Sequence, residues 1–387
     1  SLIEERARCL VKMKKKLKNQ PGKVNTKILI LSILLGIIGL FVILSSSAYL
    51  TIKHGGGKFY YVKRQGGFLI MGIILMLIFS RIDYRYYKKY YKQILFVSLL
   101  LMALSLKGPF AKSYNNTRRG VKFGPISFMP SDIYKLASII FFSNFLVKNR
   151  KNRDKFIKGM VASGLMILLP SSIMILQPDF STFVTIVLVL LIMYIVYGMP
   201  KKFAPVLFIV IALGLFALYK VADHYDLYQL KRIFAFRDPE KYYLTDSWQI
   251  LNSLFSVSRG GITGVGFGQS IFKYGYLAEE VNNDMIFAVI AEETGFIGSV
   301  IFIGIIVGFV ISILKVAIGV KDHFAKLLVF GIGILIFIQS FINIGVSLNV
   351  IPNTGITLPF ISYGGTSLWI MYIMTGVVLN ISRFEDK

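Results

Sequence analysis

Apolar runs recur along the chain, and short polar or basic connectors separate them. A helix needs about 20 such residues to cross the roughly 30 Å hydrocarbon core of a membrane. The pattern therefore predicts an all-α, polytopic membrane protein with ten transmembrane helices. Their predicted positions are 28–50, 66–80, 94–106, 133–147, 159–176, 180–198, 203–222, 284–314, 327–348 and 367–382.

Composition agrees with this pattern: 55% of the 387 residues are hydrophobic, 16% are charged, and the mean hydropathy is +0.66. In a soluble protein, a net charge of +25 would indicate nucleic-acid binding. Here the basic residues lie mostly in the connectors, so membrane topology accounts for them and no nucleic-acid partner is expected. The single cysteine, Cys9, excludes a disulfide within the chain.

The distribution of basic residues predicts the orientation. With a cytoplasmic N-terminus, the inner segments hold 27 Lys and Arg and the longer outer segments hold 15. Because cytoplasmic segments carry the basic excess, both termini are predicted to be cytoplasmic. The long loop 224–283, between spans seven and eight, is then extracytoplasmic. The basic arm 1–27 is interpreted as a lipid-headgroup anchor, and 28–387 as one membrane domain.

Polar side chains are predicted at the outer ends of two spans. Ser131 is a candidate N-cap of the fourth span, and Asp132 falls in its first turn, where the helix dipole favours a carboxylate. Lys135 follows three residues later, so an ion pair with Asp132 is available. Asp179 lies in a tight break between two spans and can cap the next helix. Capping and anchoring explain each residue alone, whereas their shared level favours a functional site.

Cations on the predicted outer face need a separate explanation. Arg118, Arg119 and Lys122 lie in the loop 107–131, against the usual distribution of basic residues. Guanidinium groups suit phosphate oxygens, so an anionic ligand is one interpretation of this loop.

The stretch 260–298 combines glycines with acidic residues at the mouth of an apolar run. No strand precedes its glycines, so close backbone packing or a backbone anion site is favoured over a nucleotide loop. Lys273, Glu279 and Asp284 follow, with Asp284 at the outer rim of the eighth span. Glu292 and Glu293 lie deeper, where buried carboxylates require Arg, Lys or hydrogen-bonding partners.

Other catalytic motifs are absent from the sequence. The three histidines are scattered, and neither HExxH nor a Cys/His pairing occurs, so no zinc site is assigned. No GxSxG elbow occurs either.

Several separate motifs together resemble one known family, the SEDS proteins (shape, elongation, division and sporulation). The resemblance covers about residues 30–383, and it favours the division and sporulation types over the elongation type. It rests on Lys63-Arg64-Gln65, Arg81–Arg85, Gly124–Asp132 with Lys135, Gln177-Pro178-Asp179, Gly260-Gly261, Asp284–Glu293, Gly295–Gly298 and Leu358–Ser367.

The resemblance implies a ten-span fold with both termini inside, in a bacterial cytoplasmic membrane and enriched at the division septum. It implies a peptidoglycan glycosyltransferase that polymerises lipid II on the outer face. The family's catalytic aspartate falls on Asp284, and its supporting polar groups fall on Asp132, Lys135 and Asp179. The implied partners are a class B penicillin-binding transpeptidase and division regulators.

Three departures from the family's pattern stand out. Asp132 replaces the usual glutamate, Gly120 replaces a tryptophan, and the segment before Asp284 differs around Glu279. The shorter Asp132 side chain is expected to lengthen or shift the pair with Lys135, and the position of Glu279 is less defined.

The expected chemistry is an inverting transfer with Asp284 as the general base. Arg118, Arg119, Lys135 and Lys273 are candidates to stabilise the leaving pyrophosphate, with Glu279 and Ser362 as further substrate-binding candidates. A divalent cation, Mg²⁺ or Mn²⁺, is compatible with Asp132 and Asp179, although no metal ligands are assigned. Residue chemistry alone leaves one rival open, a flippase for lipid-linked precursors.

Overall fold

The computed structural model describes residues 22–47, 59–106, 111–114, 117–123, 126–210, 214, 220, 236–241, 247–274, 276–277 and 281–385, without the side chains of 111–119, 123 and 126. The described part is mostly helical. Seven of its helical segments are long and apolar enough to cross a membrane. The protein is therefore a multi-pass helical membrane protein, as the apolar runs predict.

Twelve α-helices, numbered in chain order, have both of their ends within the described residues. They are α1 (Thr26–Ser46), α2 (Tyr60–Phe79), α3 (Arg85–Lys89), α4 (Tyr91–Leu106), α5 (Pro130–Asn149), α6 (Ala162–Ser171), α7 (Ile173–Leu176), α8 (Phe180–Gly198), α9 (Trp248–Gly260), α10 (Ile286–Gly319), α11 (His323–Ser347) and α12 (Gly365–Ser382). A 3₁₀ turn (Arg150–Asn152) and a π-helical segment (Phe156–Val161) connect α5 to α6.

Nine of the ten predicted spans coincide with described helices to within a few residues. Seven of these nine have both the length and the hydropathy expected of a membrane span. The other two are α4, which is shorter, and α5, which has 20 residues but is not among the seven. The predicted seventh span, 203–222, falls mostly outside the described residues, although 204–210 are helical. The count of ten and the orientation in the membrane stay predictions, as does the division into an arm 1–27 and a domain 28–387.

A small sheet corrects the all-α expectation. Residues predicted as a polar loop form three antiparallel strands, β1 (Ala111–Tyr114), β2 (Thr117–Phe123) and β3 (Ile126–Phe128), in the order β1-β2-β3. The sheet packs on the C-terminal end of α4 and the start of α5. Strands of three to seven residues carry too little alternation to be recognised between long apolar runs.

Helix α11 is antiparallel to α5 and α8. His323, its first residue, lies 2.9 Å from Arg150 just beyond the end of α5, and its ring meets Tyr197 near the end of α8. The three helices cross closely because α11 has a glycine at the contact. A Cβ on Gly331 would lie 2.6 Å from Ile139 of α5 and 2.7 Å from Met193 of α8.

Helix α10 is interrupted at Gly295, whose φ of 67° and ψ of −167° lie outside the helical region. The glycine-rich segment 260–268 docks into the interruption through its backbone. Val265 and Gly266 N–H groups donate to the Glu292 and Glu293 carbonyls at 3.0 and 3.1 Å. In return, Phe296 and Ile297 donate to carbonyls of 261 and 262 at 2.9 and 3.1 Å. Backbone groups that the break would leave unpaired in an apolar setting are thereby satisfied.

This contact explains the predicted close backbone packing of the glycines. A Cβ on Gly295 would lie 2.2 Å from the Gly264 nitrogen, and one on Gly264 would lie 2.3 Å from the Glu293 carbonyl oxygen. Glycine is therefore required on both sides of the contact.

Substituting Gly295 with alanine is expected to destabilise the protein by at least about 1–3 kcal/mol, because the residue occupies a backbone region that is essentially restricted to glycine. The matched control is Gly304→Ala in the same helix, where an added Cβ meets nothing within 4 Å. Thermal unfolding in detergent checks the prediction, and equal melting temperatures for the two variants would contradict it.

Candidate active site

Asp284 lies in the turn that precedes α10 and is half-buried. Its carbonyl accepts a hydrogen bond of 3.1 Å from the Asn343 side chain of α11. The same amide group donates to the Ile356 carbonyl at 2.8 Å. An added Cβ on Gly355 would lie 3.4 Å from Asp284 Oδ2, so the carboxylate faces the backbone of this loop. Asn343 thus fixes the Asp284 turn against the loop between α11 and α12.

Ser362 closes that loop onto the other side of the turn. Its hydroxyl accepts from the Leu358 N–H at 2.8 Å and donates to the Asn283 carbonyl at 2.7 Å. The Tyr363 N–H donates to the Asn282 carbonyl at 2.8 Å. Ser362, predicted as a substrate-binding candidate, is 6% exposed and its hydroxyl holds the loop to the segment that carries Asp284.

Gln65 of α2 supports the same loop. It is 2% exposed, donates to the Ser362 carbonyl at 3.3 Å and accepts from the Gly364 N–H at 3.3 Å. Burial raises the pKa of Tyr363, which lies in the loop outside the spanning helices, and the neighbouring charge of Arg64 opposes that rise. The Lys63-Arg64-Gln65 motif therefore places a buried amide under the loop and a guanidinium beside it.

Asp132 and Lys135 form the predicted ion pair. Lys135 Nζ lies 2.8 Å from Asp132 Oδ1, and both residues are 5% exposed. The missing methylene of Asp132 therefore does not lengthen the contact, contrary to expectation. The predicted N-cap at Ser131 is wrong, because α5 begins at Pro130, which suits the first helical position.

Asp179 caps α8 as predicted, with its carboxylate accepting from the Thr182 N–H at 3.4 Å. The preceding Gln177 is fully buried and donates to the Met102 carbonyl at 2.9 Å and to Ser105 at 2.7 Å. The break between α7 and α8 is thereby tied to the end of α4.

The crossing at Gly331 allows the levels of these groups to be compared. Distances from the crossing are measured along each helix axis, at a rise of about 1.5 Å per residue. On this measure Asp132 lies about 10 Å from the crossing, Asn343 about 18 Å and Asp179 about 21 Å. Because α11 is antiparallel to α5 and α8, all three displacements point to the same end of the bundle. Asn343 holds Asp284, so the four predicted polar residues share one end, with Lys135 deepest.

The two glutamates of α10 are buried in separate ion pairs. Glu292 is fully buried; Arg259 Nη1 lies 2.5 Å from its carboxylate, and Ser256 and Ser270 also donate to it at 2.8 and 2.5 Å. Arg259 belongs to α9, which packs along α10. This pairing confirms that a buried carboxylate here has a basic partner.

Lys273 pairs with the second glutamate. It is 1% exposed, and its ammonium lies 3.2 Å from Glu293, 2.9 Å from Ser45 and 2.7 Å from the Gly268 carbonyl. Ser45 also donates to the Glu293 carboxylate. The pyrophosphate-binding role predicted for Lys273 would therefore require it to leave a buried network.

Two parts of the predicted site are not described in full. The backbone of Arg118 and Arg119 lies in β2, at the same end of the bundle as Asp132, but their side chains fall outside the described residues. Glu279 lies outside the described residues altogether.

Three residues around Asp284 were not predicted to support it, although Gln65 belongs to one of the family motifs. They are Asn343, Asn282 and Gln65. Each is a polar side chain within or beside an apolar run, and this position in the sequence could have indicated a functional role. Buried Asn343 Oδ1, Asn282 Nδ2 and Thr354 Oγ1 have no hydrogen-bond partner in the described part of the chain. Unpaired buried polar atoms are unfavourable, and such groups are commonly satisfied by ordered water.

Metal binding has little support from the described side chains. Among them, no group of three His, Cys, Asp or Glu could hold an ion. Asp132 and Asp179, the candidate ligands, already bind Lys135 and the start of α8.

Comparisons with known proteins identify the family of the chain. A family model described as FTSW_RODA_SPOVE, cell cycle protein, matches residues 25–387. Stage V sporulation protein E of Bacillus subtilis (strain 168) is 34% identical over 358 residues, covering 92% of this chain and 96% of the relative. "Probable peptidoglycan glycosyltransferase FtsW" of the same organism is 36% identical over 359 residues, covering 89% and 87%.

A solved structure supports the fold. A chain of a peptidoglycan synthase complex superimposes with a TM-score of 0.78 at 23% identity, covering 93% of this chain and 98% of its own. The family match spans nearly the whole chain, and two relatives exceed 30% identity over most of their length. The chain therefore belongs to the FtsW/RodA/SpoVE family, which is the SEDS family.

Proposed function

We propose that this protein is a peptidoglycan glycosyltransferase that polymerises lipid II at the outer face of the cytoplasmic membrane during cell division. The observation that carries the proposal is the setting of Asp284, whose turn is held by Asn343 and Ser362 beside buried, unpaired polar atoms. Relatives named peptidoglycan glycosyltransferase FtsW, 30–36% identical over most of the chain, support the reaction class.

In this proposal Asp284 is the general base. Its carboxylate takes the proton of the acceptor 4-hydroxyl, whose oxygen bonds to the anomeric carbon of the donor. The bond from that carbon to the pyrophosphate oxygen breaks, undecaprenyl pyrophosphate leaves, and the configuration inverts. A single base suffices because no covalent glycosyl-enzyme intermediate forms.

The cations assigned to the leaving group are Arg118, Arg119 and Lys135. Developing negative charge on the pyrophosphate is stabilised when cations are already in position, since they need not reorganise during the reaction. Lys135 is held by its pair with Asp132 at 2.8 Å, and β2 carries the two arginines to the same end of the bundle. We assign Lys273 to its pair with Glu293 instead. A divalent cation stays an expectation, outside this mechanism.

Division is the assigned process because FtsW-named proteins recur among the relatives. The sporulation relative is of similar identity, and an elongation role is the further alternative. The proposed partner is a class B penicillin-binding transpeptidase, under the control of division regulators. The solved neighbour belongs to a peptidoglycan synthase complex, which supports a partner of this kind.

Two assays on the purified protein test the proposal. Incubation with lipid II is expected to give glycan strands on a gel. The rival, a flippase for lipid-linked precursors, would instead move labelled lipid II across vesicle membranes without making polymer. Transport without polymer would overturn the proposal.

Replacing Asp132 by glutamate is expected to preserve polymerisation, because the longer carboxylate is the usual residue of the family and can still reach Lys135. Asp132→Asn is expected to lower the rate about 10-fold, equivalent to about 1.4 kcal/mol in the barrier. Glycan-strand gels at matched protein concentration provide the measurement. Equal activity of the two variants would show that the ion pair does not support the reaction.

A further inference from the structure

A small cavity with two arginines in its lining lies at the opposite end of the bundle from Asp284. It forms between the last turns of α5 and α8 and the π-helical start of α6, and its lining includes Asn149, Arg150, Arg153, Ser163, Tyr194 and Tyr197. Along α5, Asp132 and Arg150 are separated by about 27 Å at 1.5 Å per residue.

Two glycines shape this cavity. A Cβ on Gly159 would lie 2.4 Å from the Arg153 carbonyl oxygen, so the turn after α5 folds back closely on the π-helical segment. Gly198 ends α8 with φ of 117°, and a Cβ there would lie 3.1 Å from Arg153 Nη1. π-Helical turns are rare and frequently occur at functional sites.

The cavity carries excess positive charge. Arg150 contacts the His323 ring nitrogen at 2.9 Å, which supplies no negative charge. Arg153 lies 3.9 Å from Asp154 between exposed side chains, a pair that contributes little. Residues 148–158 hold six basic residues and one acid, and Lys201 and Lys202 follow α8 at the same end.

Tyr197 adds an unsatisfied group. Its hydroxyl is buried and has no hydrogen-bond partner within the described residues, and it faces the charges of Arg150 and Arg153. A hydroxyl and two guanidinium groups around one cavity match the oxygens of a phosphate group.

We infer that the cavity lined by Arg150, Arg153 and Tyr197 binds the phosphate of an anionic phospholipid from the leaflet opposite the Asp284 site. Basic cavities between helices on the cytoplasmic side of membrane proteins bind such headgroups, and anionic lipids attract the surrounding cations.

The test measures phospholipid binding to the purified full chain by native mass spectrometry, with phosphatidylglycerol and phosphatidylcholine as probes. Phosphatidylglycerol is expected to bind more tightly. The double variant Arg150→Gln/Arg153→Gln is expected to weaken its binding about 10- to 100-fold, because charge-assisted hydrogen bonds are lost. Tyr197→Phe removes only one hydroxyl and is expected to weaken phosphatidylglycerol binding about threefold.

The matched control is Lys151→Gln/Lys155→Gln. It removes the same charge from exposed positions of the same segment that do not line the cavity. An equal loss in this control would show diffuse attraction to a basic surface and overturn the inference. Equal binding of phosphatidylcholine would also overturn it.

Inorganic phosphate distinguishes the source of the ligand. Displacement of phosphatidylglycerol by millimolar phosphate would assign the cavity to a soluble phosphate compound and overturn the lipid assignment. If the double arginine variant does not fold, Tyr197→Phe and the thermal stabilisation of the unaltered protein by each lipid still decide the question.

Discussion

Replacing Asp284 by asparagine is expected to lower glycan-strand synthesis from purified lipid II by at least about 100-fold, because general-base catalysis contributes about 10²–10⁴. Asparagine has nearly the same shape but cannot accept the proton of the acceptor hydroxyl. The packing of the turn should persist, because Asn343 binds the backbone carbonyl of residue 284 and not its side chain.

Asp238→Asn is the matched control for this result. Asp238 is an exposed carboxylate in the loop 224–283, on the same predicted face as Asp284, and its loss should leave polymerisation unchanged. Thermal unfolding of both variants would establish that they fold. Polymer formation by Asp284→Asn at the normal rate would remove Asp284 from the reaction and leave the family assignment intact.

Replacing Lys273 by methionine is expected to be the most destabilising of the substitutions considered. Removing one partner of a buried ion pair costs about 3–5 kcal/mol, because the remaining charge is left without compensation. Here that charge would be Glu293, which is 6% exposed and accepts from Lys273 and Ser45. The measurement is the melting temperature in detergent, with Lys315→Met, an exposed lysine of α10, as the control.

The double variant Lys273→Met/Glu293→Gln separates two roles of Lys273. If the lysine only neutralises Glu293, removing both charges should recover most of the stability and of the polymerisation rate. A coupling of about 0.5–3 kcal/mol is typical of residues in one network. If Lys273 instead binds the pyrophosphate, the double variant should recover stability and stay inactive, which would restore the role predicted from the sequence.

Features governed by local sequence were predictable. The apolar runs located the spans because about 20 apolar residues are needed to cross a membrane. The spacing of Asp132 and Lys135 gave their ion pair, since residues three apart share a helix face. The cap at Asp179 followed from its position after a proline and before an apolar run.

Features that depend on distant residues were not predictable. Arg259 and Glu292 are 33 positions apart, and Lys273 and Glu293 are 20 apart, so neither pair follows from helix spacing. The break at Gly295 was not predicted because glycine is common in transmembrane helices, so a single glycine does not indicate an interruption. The roles of Ser362 and Asn343 as supports of the Asp284 segment likewise required knowledge of which loops meet.

The break at Gly295 bears on how the protein enters the membrane. The part of α10 after it, residues 296–319, is about 36 Å long and can span the hydrocarbon core alone. The insertion machinery can therefore anchor this segment without first drawing Glu292 and Glu293 into lipid. A charged residue at the middle of an inserting helix is unfavourable by about 2.5–3.5 kcal/mol on the translocon scale.

Their partners Arg259, Lys273 and Ser45 all precede the two glutamates in the chain. During synthesis the basic groups are thus made before the acids that need them. The loop between α11 and α12, which holds the Asp284 segment through Ser362, is made later still. Assembly of the end of the bundle that carries Asp284 is therefore a late step in the biogenesis of the protein.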